Sequence, residues 1–128
     1  MSYYFARTLS TSFEDALARA TAALKEEGFG VITSIDLKET FKRKLNTDFR
    51  PYTILGACNP SLAFEALKLE DKVGTMLPCN VIVQEIGSGQ VEVAAVDPVA
   101  SMQAIGNPDL ESKAQAVRQK LQAAIARL

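Results

Sequence analysis

No histidine occurs among the 128 residues. Triads with an imidazole base, histidine-ligated zinc and imidazole proton shuttling are therefore excluded within one chain, and any acid or base must be a carboxylate, lysine, tyrosine or cysteine. Cysteine is scarce as well: Cys58 and Cys79 are the only two. In a chain of this size such a pair is expected to be free thiols rather than a structural bridge. No apolar run approaches the roughly 18 to 20 residues that cross a bilayer. The opening residues, Met1-Ser2-Tyr3-Tyr4-Phe5-Ala6-Arg7, lack a basic segment followed by an apolar stretch, so the expected location is cytoplasmic, with no membrane partner. There is no surplus of either charge, since 14 basic and 15 acidic residues leave a net −1. Coating of nucleic acid or anionic lipid needs a positive field that this chain does not carry. Glycine-rich phosphate loops, acidic metal clusters and serine elbows are missing too.

What remains is an ordinary globular composition, 48% apolar and 23% charged. A chain of this length buries about two-thirds of its unfolded surface and can hold together without staples. With no linker, low-complexity segment or repeat, residues 1–128 read as one domain.

Residues 3–9 read as a first strand, and Ser10-Thr11-Ser12 offers a capping hydroxyl. Phe13, Leu17, Ala20 and Leu24 then recur on one helical face until Gly28. Residues 29–35 form a second strand, followed by a capping box in Asp36-Leu37-Lys38-Glu39 and a short stripe of Leu37, Phe41 and Leu45. Residues 52–58 are a third strand, after which Asn59 caps a helix and Pro60 takes its first position. Residues 71–78 are expected as a loop, and residues 79–86 and 90–96 as strands joined through Gly87-Ser88-Gly89. Asp97-Pro98 caps one short turn through Met102, and Asn107-Pro108 opens a long last helix. A tight hairpin combined with longer helical connections predicts α+β, with helices on one face of a mainly antiparallel five-stranded sheet.

Chemistry is most plausible where two strings echo each other, Gly56-Ala57-Cys58-Asn59-Pro60 and Leu77-Pro78-Cys79-Asn80-Val81. Cys58 stands just before a helix, near the positive end of its dipole, which favours a thiolate and can hold an anion. The plainer alternative is a small buried residue closing a strand, with Asn59 acting only as a cap. If the third and fourth strands were parallel, the cysteines would lie ~17 to 20 Å apart. An antiparallel pair, the favoured arrangement, clusters both thiols and the Asn59 and Asn80 carboxamides at one end. Glu65 and Asp97 could add carboxylates there, although the favoured readings make Asp97 a cap of the following turn and Glu65 a solvent-facing residue. Two thiolates fall short of a zinc site, and no Cys-x-x-Cys opens a helix, so no metal and no cofactor are expected. Phe41-Lys42-Arg43-Lys44 and Phe49-Arg50-Pro51-Tyr52 interleave basic and aromatic residues as single-strand binders do. Phe41 shares a face with Leu37 and Leu45, which instead makes the aromatics core and the charges a solvated surface, so a nucleic-acid partner is not expected.

These strings, from Arg50 to Pro60 and from Leu77 to Val81, together with Asp97-Pro98 and Met102, resemble the domain of unknown function 302 family of bacteria and archaea. The resemblance covers nearly the whole chain. It implies a small α+β domain with a layout similar to TATA-binding-protein-like folds, an often dimeric state and no settled activity. Its antiparallel sheet would place Cys58 and Cys79 at the same end. Function is thus left between three classes, the first being a module that binds a small molecule or anion at the Cys-Asn end of the sheet. The second is a thiol-dependent enzyme or redox protein with Cys58 as nucleophile and Cys79 as resolving partner. The third is a structural or interaction protein, with a homodimer as the expected assembly.

Overall fold

The computed structural model of the chain describes residues 2–128. Met1, part of the N-terminal reading above, lies outside the described residues. In chain order the elements are β1 (Tyr4–Ser10), α1 (Phe13–Glu26), β2 (Gly30–Asp36), α2 (Leu37–Leu45), β3 (Tyr52–Cys58), α3 (Pro60–Leu69), a 3-10 helix (Asp71–Met76), β4 (Cys79–Gly87), β5 (Gln90–Val96), α4 (Pro98–Met102), a 3-10 turn (Gln103–Ile105) and α5 (Pro108–Ala126). The strands form one sheet in the order β1-β5-β4-β3-β2, and every neighbouring pair is antiparallel. The fold is therefore α+β, as the sequence predicts. Among the described residues no helix is long and apolar enough to cross a membrane.

Short polar residues set the helix boundaries. Ser12 Oγ accepts the Asp15 amide at 3.1 Å, Asn59 Oδ1 accepts Leu62 at 3.3 Å, and Asn107 Oδ1 accepts Asp109 and Leu110 at 3.0 and 3.3 Å. Each side chain satisfies amides that the first helical turn leaves free. At the other end of α1, Gly28 has φ +85°, its amide donates to Lys25 and the Phe29 amide donates to Leu24. This is a Schellman closure, and it turns Phe29 back into the core beside Leu24. The box at Asp36-Glu39 is only half made. Asp36 accepts the Glu39 amide, but Glu39 turns forward to Arg43 at 3.4 Å instead of back.

The core lies between the sheet and the pair α1 and α5. Ala16, Ala20 and Leu24 of α1 and Leu121, Ala124 and Ile125 of α5 meet Val81, Val83, Val91 and Val93. The period-2 alternation of β4 and β5 sends these valines to one face and Ile82, Gln84, Glu92 and Ala94 to the other. A second cluster of Ala66, Val73, Met102, Leu110 and Ala114 joins α3, α4 and α5.

Two segments differ from the sequence expectation. Residues 71–76 are a 3-10 helix rather than a loop, fixed by Val73, which is fully buried. The aromatics after β2 are not core, since no residue of α2 is buried and Leu45 is 66% exposed. Phe41, Phe49 and Tyr52 instead form a surface row with ring centroids 5.2 and 6.2 Å apart, and the Arg50 guanidinium lies 4.4 Å from the Phe49 ring. Lys42 and Arg43 are paired with Asp48 and Glu39, which removes much of the positive field there.

Candidate functional site

Antiparallel register places Ala57 opposite Cys79 and Gly56 opposite Asn80, and Gly30 of β2 lies opposite Cys58. The two cysteines therefore come to the same end of the sheet, where α3 leaves β3 and the chain returns into β4. Both thiols are free; Cys58 is half-buried and Cys79 is buried.

Beside them is a cavity of about 320 Å³. It is lined by Ala57, Cys58 and Cys79 of the sheet, by Leu62, Ala63, Ala66 and Leu67 of α3, and by Leu110, Lys113, Ala114 and Val117 of α5. Phe29, Met102, Leu77 and Pro78 also line it, and the first two are buried. Small residues create the space: α3 offers two alanines and α5 a third, where leucines would fill the gap. Eighteen residues line the cavity, and Lys113 is the only charged one.

An edge irregularity shapes the mouth. Val31 pairs with Ala57 and Thr33 with Gly56, leaving Ile32 unpaired in a β-bulge. A bulge adds one residue and re-aims its side chain. Here it brings Ile32, 62% exposed, to the cavity rim. The same bulge sets Thr33 over Gly56, against which Pro78 also rests.

The residues expected to share a site are divided. Cys58, Asn59 and Cys79 line the cavity. Asn80 does not, because successive strand residues face opposite ways; it lies exposed in a depression on the open face, with Tyr3, Tyr4, Tyr52 and Gln84. Glu65 points away and pairs with Lys68 at 3.2 Å. Asp97 is buried elsewhere: its Oδ1 accepts the Val99 amide at 3.0 Å and its Oδ2 pairs with Arg118 at 3.2 Å, which makes it a cap and an anchor for α5. Sequence reasoning missed Lys113. Its signal was available, since Leu110, Lys113, Ala114 and Val117 follow the i, i+3, i+4, i+7 pattern of an inward face, and a lysine there is out of place.

The electrostatics of the thiols are unequal. Burial pushes the Cys79 thiol up from the ordinary 9.0 to about 11, and the neighbouring Cys58 adds to the shift. At neutral pH only about one Cys79 in ten thousand is a thiolate. Among the described residues no three His, Cys, Asp or Glu side chains come together as a metal would need. Iodoacetamide at pH 8 is expected to label Cys58 at least tenfold faster than Cys79, read by peptide mass spectrometry. Equal rates would show that Cys79 is not held as a thiol. The same shift has a sign for stability. The folded state keeps a proton that the unfolded state loses first, so about 2 to 3 kcal/mol should be lost as pH rises from about 9 to 11. A Cys79→Ala variant should lose this alkaline dependence in urea titrations.

A family model described as "Domain of unknown function DUF302" matches residues 5–128. A crystal structure of an uncharacterized conserved protein DUF302 from Bacillus stearothermophilus superimposes with a TM-score of 0.91 at 28% identity, covering 99% of this chain and 98% of that one. Among curated proteins no match was found.

Proposed function

We propose that this chain, which belongs to the DUF302 family, is a binding module for a small, predominantly apolar molecule held in the cavity beside Cys58 and Cys79. The observation that carries the reading is a partly open pocket of about 320 Å³, lined almost entirely by apolar side chains, at the end of the sheet. An engineered apolar cavity of about 150 Å³ stays dry and takes up benzene. A space of roughly twice that size therefore suits a guest of about a dozen non-hydrogen atoms. Pockets for small ligands have this character, mostly apolar with a few placed polar groups. Here the polar groups are the Asn59 carboxamide, the two thiols and Lys113.

The thiol-redox reading asks more of Cys79, because a resolving cysteine must lose its proton to attack and burial raises its pKa. Cys58 in the binding reading is a soft, polarizable wall.

1-Naphthol, neutral near pH 7 and about the right size, tests the reading. At roughly 0.4 to 0.5 kcal/mol per non-hydrogen atom it should bind with about 5 kcal/mol, a Kd on the order of 0.2 mM. Amide shifts in an NMR titration should be confined to cavity residues such as Leu62, Ala66 and Leu110, and should vanish in Ala63→Phe, where a phenyl ring occupies the space. Shifts spread over the surface, or kept in Ala63→Phe, would sink the proposal.

A further inference from the structure

We infer that the guest of this cavity is a singly anionic amphiphile, an apolar tail of about eight to ten carbons ending in an acid group that pairs with Lys113. The inference rests on the binding reading and adds the chemistry of the head group. Three observations point the same way. Lys113 is the one charged residue of the lining, and no carboxylate lines the cavity with it. Among the described residues seven ion pairs form, and Lys113 takes part in none of them, although α5 carries acidic neighbours at Asp109 and Glu111. The lysine also occupies the inward stripe of α5, between Leu110 and Val117, where an apolar residue would pack against α3 without desolvating a charge.

A cation placed so, half-buried and without a partner, favours an incoming anion and disfavours a cation of the same shape. Its flexible stem lies along apolar surface and leaves a point charge rather than a bidentate fork, so it selects for charge more than for a planar carboxylate. No other lining residue carries a charge. The acid group is therefore assigned to Lys113 and the tail to the apolar lining. Counting about one non-hydrogen atom per 25 Å³, as for benzene in its cavity, the void accommodates a decanoate-sized molecule.

Decanoate and decanol, alike in tail and different in charge, separate the head group from the cavity. Isothermal titration at pH 7.5 is expected to show decanoate binding at least tenfold tighter than decanol. In Lys113→Met, which keeps the stem volume, the advantage of decanoate over decanol should disappear; Lys113→Gln serves as a second, polar variant. Equal affinities in the natural chain, or an advantage of decanoate that survives in Lys113→Met, would overturn the anionic head while leaving the cavity reading intact if Ala63→Phe abolishes decanol binding. Failure of both ligands to bind would overturn the inference and the binding reading together.

Discussion

Replacing Phe29 with alanine is expected to cost about 3 to 5 kcal/mol, the range seen when a buried phenylalanine is removed from a packed core. Phe29 is 2% exposed and among the largest fully buried side chains, and it stands where three structures meet. Its amide closes the Schellman turn of α1 on Leu24, its ring belongs to the main core, and it forms one wall of the cavity beside the cysteines. Truncation therefore does more than open a void. It enlarges a void that already exists, so the surrounding walls have little to collapse upon, and the loss should fall toward the upper end of the range. Urea denaturation followed by circular dichroism measures it. A loss below about 1 kcal/mol would mean that the surrounding elements close over the gap. Phe29→Leu, which keeps most of the volume, should recover more than half of the loss.

A methyl group at position 56 is expected to be nearly as damaging. Gly56 is buried in β3, between β2 and β4, and a side chain built there would collide with Thr33 Oγ1 and come within 2.7 Å of Pro78 Cγ. Elsewhere in a strand, glycine to alanine gains about 0.5 to 1 kcal/mol by restricting the unfolded chain. Here overpacking reverses the sign, with a cost of about 2 to 3 kcal/mol for Gly56→Ala and more for Gly56→Val. At roughly 4 °C per kcal/mol for a domain of this size, the melting temperature should fall by about 8 to 12 °C. Thr33→Ala should rescue part of the loss, because the threonine is one of the two obstacles and the proline ring is the other. A neutral or stabilising Gly56→Ala would show that Thr33 and Pro78 move aside freely.

The elements that the sequence displays openly are those set by local chemistry. Ser12, Gly28, Asn59-Pro60, Asp97-Pro98 and Asn107-Pro108 each bound a helix through contacts within a few residues, and the structure places those boundaries where such contacts require. What stays hidden depends on register between distant strands. The bulge at Ile32 cannot be read from the string Gly30-Val31-Ile32-Thr33, because it arises from the pairing of β2 with β3. Nor does the echo of Cys58-Asn59 in Cys79-Asn80 reveal that Asn59 lies off the strand as a cap while Asn80 lies on it, facing the other way. The 3-10 helix at Asp71–Met76 escapes for a related reason: only the burial of Val73 against the α3, α4 and α5 cluster distinguishes it from a loop. The cavity is legible only in retrospect, as alanines on two helices that tertiary packing sets face to face.

The order of the strands has a consequence for how a ribosome would deliver this molecule. β2, β3, β4 and β5 pair each with the next, so most of the sheet can zip up as the chain emerges, whereas β1, synthesised before all of them, pairs with β5. The first strand must wait, tethered through α1, until the final hairpin is out. α5 comes later still, and it supplies the face with Leu110, Lys113, Ala114 and Val117. A nascent chain arrested after β5 can thus present a complete sheet with its cysteines side by side at one end, and still have no chamber. The α5 side of the pocket is thus the last part of its lining to emerge.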